Sequence, residues 1–268
     1  MAERYLLYID ILGFSDLVTT APTKVQDLFE VIASLNVHDH SAFRAIAFSD
    51  TILVYNVDGG HTSEDRRYLV MFLCEFAQDL QYRLTARGIF FRALLVRGDF
   101  THYELNALPC FFGPALIDAY QSEKQINAIG LFMQGSIVSD SDIFDTVRFK
   151  TNYDFVFITQ NLKRVEDMGR FPLDRFVIEE TELIYHLVPE VLYLKQLNHW
   201  MTAHPDAKVR LKYANTWRLF LARYPNTLKH LKATEFELDA ISPGANWDVV
   251  ASKFPEDYSW AIKKRVAY

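Results

Sequence analysis

The sequence predicts a mixed α/β (α+β) fold, in which a mostly antiparallel sheet with flanking helices precedes a helical C-terminal extension. Three observations predict it. β-prone apolar runs alternate with segments of helical periodicity along the first part of the 268-residue chain. Two of these runs are close enough in sequence to pair as a hairpin. After about residue 180 the composition shifts toward long helical patterns. Half of the residues (50%) are hydrophobic, which is enough for a substantial core.

The first elements are a strand, a helix and a hairpin. Residues 4–11 form an apolar, β-prone run, and residues 23–35 carry apolar side chains at helical spacing. The runs 43–48 and 52–55 are again β-prone, and Asp50 lies between them. We therefore expect a hairpin with an acidic residue at its tip.

A long helix and a buried strand follow. The helix is predicted to begin after Gly59-Gly60 and to end at Gly88, and Thr62 and Asp65 have the spacing of a capping box. Residues 89–96 then read as a buried strand.

The rest of the sequence predicts smaller elements and then long helices. We expect a loop or short ribbon over 100–112, a short helix from Gly113 to about Lys124, and strands over 131–138 and 153–158. Helices are predicted over 183–199 and 209–224. The predicted domains are therefore residues 1–180 and a helical extension over 181–268 that packs on the first.

Composition argues against several classes of function, although a local basic patch remains compatible with the net charge. The chain has 28 basic and 34 acidic residues, for a net charge of −6, which argues against nucleic-acid and anionic-membrane binding. Its two cysteines, Cys74 and Cys110, cannot form a disulfide framework. There is no signal-peptide pattern and no apolar stretch of membrane-spanning length. We expect a cytoplasmic protein with no membrane span.

Two carboxylates are the candidate catalytic residues. Asp10 ends an apolar strand, Asp50 lies at the tip of an apolar hairpin, and a carboxylate beside so much apolar surface needs a partner. A pair on adjacent strands suits Mg²⁺ or Mn²⁺, and the turn at Gly13, Phe14 and Ser15 offers backbone N–H groups to phosphate oxygens. The alternative is that both aspartates are ordinary turn and cap residues.

Five segments carry a resemblance to a known family, in the order in which that family has them. They are 10–15 (Asp-Ile-Leu-Gly-Phe-Ser), 48–51 (Phe-Ser-Asp-Thr), 91–98 (Phe-Arg-Ala-Leu-Leu-Val-Arg-Gly), 112–119 (Phe-Gly-Pro-Ala-Leu-Ile-Asp-Ala) and 134–139 (Gln-Gly-Ser-Ile-Val-Ser). They resemble, in turn, the first metal motif, the second metal motif, the central strand, the turn and helix facing the partner site, and the next strand of class III nucleotidyl cyclases. The resemblance covers roughly residues 4–160.

Within that family, the chain looks most like the short pyrimidine cyclases of bacterial anti-phage (Pycsar) systems. The resemblance implies a cyclase catalytic domain over 1–180 and conversion of UTP or CTP to a 3′,5′-cyclic nucleotide that acts on a separate effector. It implies two divalent cations (Mg²⁺ or Mn²⁺) held by Asp10, Asp50 and the backbone carbonyl of Ile11. It also implies a homodimer with composite sites, on the expectation that the helix facing the metals cannot fold back within its own chain.

Departures from the purine cyclases bear on the substrate. At the two positions where purine cyclases carry base-reading residues, this sequence has Ile46 and Cys110. Because a hydrogen-bonding site discriminates through its polar groups, a different base is expected, with UTP favoured over CTP. Phe48 is a candidate base contact, with core packing as its alternative.

Other departures bear on the transition state. The asparagine and arginine of the family's partner helix are Ile117 and Gln121 here, so Gln121 and Lys124 become candidate substrate contacts. Arg97 is a further candidate, preferred to Arg92 because it lies at a strand end beside a glycine. The second hypothesis is therefore a catalytically inactive nucleotide-binding or sensor module with a cyclase-like fold.

Overall fold

A computed structural model describes residues 2–254 and 256–258. Within these ranges, eight strands form one sheet in the order β2-β3-β1-β4-β6-β8-β7, with β5 paired to β4. Their pairings are antiparallel, except that β4 and β6 run parallel. The strands are β1 (Ala2–Ile11), β2 (Phe43–Phe48), β3 (Thr51–Asn56), β4 (Phe91–Leu105), β5 (Leu108–Phe112), β6 (Gly130–Gln134), β7 (Thr146–Lys150) and β8 (Tyr153–Val156). The predicted fold class is confirmed.

The first four helices are interspersed with the strands along the chain, and the others follow the last strand. Over the described residues they are α1 (Phe14–Thr20), α2 (Pro22–Ala33), α3 (Ser63–Ala86), α4 (Pro114–Glu123), α5 (Gln160–Met168), α6 (Arg175–Glu180), α7 (Leu183–Ala203), α8 (Ala207–Arg223), α9 (Pro225–Ala233), α10 (Leu238–Ile241) and α11 (Val250–Lys253). Over the same residues, no helix combines the length and the apolar character needed to cross a membrane.

The candidate catalytic residues lie on or beside the central strands of the sheet. β1 lies between β3 and β4, and its middle residues are almost fully buried. β2 and β3 form the expected hairpin through a two-residue turn, in which Ser49 adopts a φ of 55°. A positive φ at the first turn residue matches the right-handed twist of the strands, so the hairpin closes tightly and Asp50 follows at its tip.

The capping box predicted for the long helix α3 is formed. The Thr62 hydroxyl accepts from the Asp65 backbone N–H at 3.0 Å, and the Asp65 carboxylate accepts from the Thr62 backbone N–H at 3.1 Å. Two otherwise unpaired N–H groups are thereby satisfied, and the helix begins at the predicted place.

The segment predicted as a strand over 131–138 differs. β6 ends at Gln134, and Gly135–Asp140 form a 3₁₀-helix. The Asp140 carboxylate accepts from the Tyr5 hydroxyl at 2.7 Å and contacts Arg66 at 3.4 Å. These tertiary contacts fix the chain in a turn and override the β-propensity of the segment.

The predicted strand over 89–96 is also longer in the structure. β4 continues to Leu105 and pairs with β5, so the region predicted as a loop or ribbon is an antiparallel ribbon. Its turn is formed by Asn106 and Ala107, both with positive φ (50° and 64°). Such a turn is hard to predict, because alanine seldom adopts this conformation.

The chain divides into two compact units. One contains the residues up to Gln81 together with Phe90–Ile158, and the other contains Tyr82–Ile89 and the described residues from Thr159 onward. The sequence placed the boundary at residue 180, but α5 and α6 belong to the second unit. Both helices contact α7, and a buried carboxylate on α7 holds the start of α5.

That carboxylate is Glu190, which has no exposed surface. One oxygen accepts from the Tyr82 hydroxyl at 2.6 Å and the Asn161 side-chain amide at 3.0 Å, and the other accepts from the Leu162 backbone N–H at 2.9 Å. Glu190 therefore caps α5 from another helix. Burial raises its pKa from 4.5 to about 7, since the low-dielectric surroundings disfavour the charged form.

Glu190→Gln should lower the free energy of unfolding by about 1–3 kcal/mol, because the amide NH₂ cannot accept the Leu162 N–H. Since the pKa of Glu190 is raised on folding, its contribution to that free energy is full below about pH 4.5 and falls as the pH rises through about 7. The substitution should remove this pH dependence. Denaturant unfolding over that pH range measures both effects, with the exposed Glu180→Gln as control. An unchanged pH profile would contradict the assignment.

Candidate active site

The ends of β1 and the β2–β3 hairpin bring the two candidate carboxylates together. Asp10 pairs in register with Thr51, the residue after Asp50. The Ile11 backbone N–H donates to the Asp50 carbonyl at 2.9 Å, which fixes the tip of the hairpin against the end of β1. Both aspartates are half-buried. The structure thus brings Asp10, Ile11 and Asp50 close together.

A buried arginine lies against Asp10 on the other side. Arg92 is opposite Asp10 in the β1–β4 register, and its Nη2 lies 3.5 Å from Asp10 Oδ2. The same nitrogen forms an ion pair with Glu123 at the end of α4, and Nη1 donates to the Ile126 carbonyl. Burial lowers the pKa of Arg92, while the Asp10 carboxylate opposes that shift.

Tyr8 connects the carboxylates to the neighbouring apolar surface. Its hydroxyl lies 3.4 Å from the Thr51 hydroxyl. Burial raises the pKa of Tyr8, the hydrogen bond with Thr51 lowers it, and the charges of Asp10 and Asp50 raise it further. Tyr8 is therefore within electrostatic reach of both carboxylates and stays protonated at neutral pH.

The donor set fits a hard divalent cation. In the described part of the chain, His, Cys, Asp and Glu side chains form no group of three or more that could hold a metal ion. Asp10 and Asp50 supply two carboxylates, and the residue after Asp10, Ile11, supplies a backbone carbonyl. Mg²⁺ in proteins is commonly held by one or two carboxylates and completed by water and substrate phosphate oxygens, so this smaller set is sufficient.

The turn after β1 is shaped as predicted, although its helix is short. Gly13 precedes α1 with a φ of 71°, a conformation that glycine adopts without strain. Phe14 and Ser15 begin α1, which has 7 residues and buries none of them. Their backbone N–H groups lie in its first turn, where intrahelical acceptors are lacking.

An apolar cavity lies beside the carboxylates. It has a volume of about 390 Å³ and is bounded by the hairpin, β1 and α4. Ile46 lines it, and so does Phe48, which is 74% exposed and therefore does not pack in the core. The structure places Phe111 on the cavity wall, while its neighbour Cys110 points its thiol toward the Leu108 carbonyl at 3.6 Å. Of the two expected base-reading positions, Ile46 thus lines this cavity.

Arg97 lies away from the carboxylates of its own chain. It pairs in register with Tyr5, five residues from the Asp10–Arg92 pair, which corresponds to about 16 Å along the strand. Its guanidinium forms an ion pair with Glu3 at 2.7 Å. Within one chain, then, Arg92 rather than Arg97 is the arginine at the site.

Helix α4 presents two faces. Ala115, Ala119 and Glu123 form its buried face, and Gln121 lies on the opposite, exposed face. Lys124, just after the helix, places its ammonium 3.7 Å from the centre of the Tyr120 ring. Gln121 and Lys124 are exposed and face outward, so they do not join the carboxylates of their own chain.

The expectation that this helix cannot approach its own strand ends is wrong in one respect. Glu123, at the end of α4, contacts Arg92, which in turn contacts Asp10. The sequence gives one indication that Glu123 is buried: it lies four residues after Ala119, on the same face of the helix as the small residues. Tyr8 and Thr51 were also missed, because only the strand register brings them together.

Comparison with known proteins finds similarity among solved structures. No protein-family profile and no curated protein sequence matches the chain. The adenylyl cyclase CyaB from P. aeruginosa is 12% identical, with a TM-score of 0.42, over 58% of this chain and 93% of its own. The monomeric guanylyl cyclase domain of the RhoGC fusion protein from Blastocladiella emersonii is 16% identical, with a TM-score of 0.44, over 58% and 94%. A bacterial light-regulated adenylyl cyclase is 13% identical, with a TM-score of 0.41, over 58% and 90%.

Proposed function

We propose that this protein is a metal-dependent nucleotide cyclase that converts UTP, and less readily CTP, to the 3′,5′-cyclic nucleotide and pyrophosphate. The observation that carries the proposal is the meeting of Asp10 and Asp50 at the ends of adjacent strands, beside an apolar cavity large enough for a base. Paired carboxylates suit the cations of a two-metal cyclisation, and a cavity of about 390 Å³ falls within the usual size range of small-molecule sites.

The residues of the site take distinct roles. Asp10, Asp50 and the Ile11 carbonyl would hold the cations. When bound, the cations would lower the pKa of the ribose 3′-hydroxyl and neutralise the charge of the triphosphate. Gly13, Phe14 and Ser15 offer backbone N–H groups to the phosphates. The 3′-oxygen forms a bond to the α-phosphorus as the bond to the bridging oxygen of pyrophosphate breaks, and positioning supplies most of the acceleration.

The apolar cavity supports a pyrimidine base. Ile46 leaves no polar group at the position where the purine cyclases read a base edge, and the exposed ring of Phe48 is free to stack on a base. A site without a buried hydrogen-bonding group cannot strongly favour a purine by recognising the polar edge of its base. The preference for UTP over CTP, the role of the product in anti-phage defence and its action on a separate effector complete the proposal.

The orientation of α4 supports a homodimer with composite active sites. Gln121 faces away from the body of its own chain, so any contact that it makes with a nucleotide lies at the site of another molecule. Phe48, Ile117 and Tyr120 are 74%, 56% and 49% exposed, and apolar side chains clustered in this way are typical of an interface. In an isologous dimer, α4 and Lys124 of each chain face the carboxylates of the other. Arg97, directed away from its own site, is a second candidate for such a contact.

A catalytically inactive nucleotide-binding module is the second candidate, because Arg92 lies against Asp10 and α4 carries Gln121 where the family has an arginine. Incubating the protein with UTP and Mn²⁺, with mass spectrometry of the products and parallel measurement of UTP binding, separates the two. We expect cyclic UMP and pyrophosphate. Tight UTP binding without product would favour the binding module.

A further inference from the structure

A buried charge cluster behind the site places two carboxylates against one arginine. The side chains of Arg92 and Glu123 are each only 7% exposed, and that of Asp10 is 22% exposed. One guanidinium is therefore shared between two acidic groups, of which one is a proposed metal ligand and the other ends α4. The balance between these two contacts affects how closely Arg92 engages Asp10.

The contacts of Arg92 are concentrated on the α4 side. Its Nη2 forms the ion pair with Glu123, and its Nη1 donates to the carbonyl of Ile126, three residues beyond the helix. Its distance to Asp10 is 3.5 Å, at the limit of a hydrogen bond. The guanidinium is thus held mainly by the last residue of α4 and the segment that follows it.

A buried guanidinium cannot remain without a carboxylate, because an unpaired charge in such surroundings costs several kcal/mol. If Glu123 were neutral, Asp10 would be the carboxylate left for Arg92. A full ion pair with arginine neutralises a carboxylate and occupies its oxygens, so Asp10 would then be a poorer ligand for a divalent cation.

We infer that Glu123 is a positioning residue, which holds the Arg92 guanidinium on the α4 side and so keeps Asp10 available to a divalent cation. The inference rests on the proposed function, since it assumes that Asp10 is a metal ligand. It adds a residue on α4 that controls the metal site of its own chain.

The test is Mn²⁺ binding to the full-length protein without nucleotide, measured by the loss of the free Mn²⁺ signal in electron paramagnetic resonance. Glu123→Gln should raise the Mn²⁺ dissociation constant about tenfold or more, as is usual when a group that orients a ligand is removed. Adding Arg92→Met to that variant removes the competing cation and should restore the constant to within about threefold of wild type.

Controls separate this role from a structural one. Glu104→Gln removes one exposed negative charge elsewhere on β4 and should leave Mn²⁺ binding unchanged. Glu123→Asp keeps the charge at a shorter reach; it should fall between wild type and Glu123→Gln, and it provides the comparison if the latter does not fold. Rescue by Arg92→Met is the result that a purely structural role would not give.

The outcomes distinguish the inference from the proposal beneath it. If Asp10→Asn weakens Mn²⁺ binding but Glu123→Gln and Glu123→Asp do not, the inference is overturned and the metal site stands. If the double variant binds as weakly as Glu123→Gln, the inference is likewise overturned. If Asp10→Asn binds Mn²⁺ as well as wild type does, the metal assignment is wrong and the inference falls with it.

Discussion

Asp10→Ala and Asp50→Ala should each abolish cyclisation while the protein remains folded. Each substitution removes a hard oxygen ligand, and the loss of metal-supplied stabilisation of several kcal/mol corresponds to a rate decrease of at least about a thousandfold. The fold should persist because Glu123 still pairs with Arg92 when Asp10 is absent, and because the Asp50 contact to Ile11 is made by the backbone. Product formation with Mn²⁺ and circular dichroism are the two measurements.

Asp99→Ala is the matched control for these variants. Asp99 is an exposed carboxylate on β4, the strand that also carries Arg92, and it lies outside the site. Its loss should leave the rate within about twofold of wild type. If either Asp10→Ala or Asp50→Ala keeps near-normal activity with Mn²⁺, the assignment of the two carboxylates to the metals fails.

Mixing two inactive variants should restore activity if the sites are composite. One variant is Asp50→Ala, and the other combines Gln121→Ala with Lys124→Ala, which changes only exposed side chains of the α4 segment. In an isologous dimer formed from both chains, one of the two sites is wholly wild-type. Equal mixing makes about half of the dimers mixed, so the recovered rate should approach about one quarter of wild type.

Each variant is also assayed alone, and exchange of subunits is followed by sedimentation of differently labelled chains. If the chains exchange and no activity returns, the composite-site model is wrong. It is equally wrong if the Gln121 and Lys124 double variant is fully active alone, or if an active protein sediments as a monomer.

The local features of this fold were predictable because they depend on neighbouring residues. The hairpin that carries Asp50 follows from two β-prone runs with a short gap, and the start of α3 follows from the spacing of Thr62 and Asp65. The sequence also indicated that Asp10 and Asp50 could approach each other, since Asp10 lies at the end of a predicted strand and Asp50 at the tip of a predicted hairpin.

The features that the sequence did not reveal depend on contacts between distant residues. The 3₁₀-helix at Gly135–Asp140 forms because Asp140 reaches Tyr5 and Arg66. The start of α5 is held by Glu190, which caps that helix from α7. Such buried carboxylates cannot be located from periodicity, because their partners lie far away in sequence.

Within the site, the position of the arginine shows most clearly how a feature can depend on distant residues. Arg97 was favoured over Arg92 from its position at a predicted strand end, but β4 extends to Leu105 and has no end there. The antiparallel register then places Arg92 opposite Asp10 and Arg97 opposite Tyr5. Strand length and register, which set these pairings, are decided by the whole sheet and not by the residues of one strand.

The most direct test of the proposed function is a product assay with ATP, GTP, CTP and UTP side by side, using purified full-length protein, Mn²⁺ and mass spectrometry of the cyclic products. We expect cyclic UMP as the main product, cyclic CMP second and little product from either purine, with none of these products formed by Asp10→Ala. Faster turnover of ATP or GTP than of either pyrimidine would contradict the assigned substrate, and the absence of any cyclic product would contradict the cyclase itself.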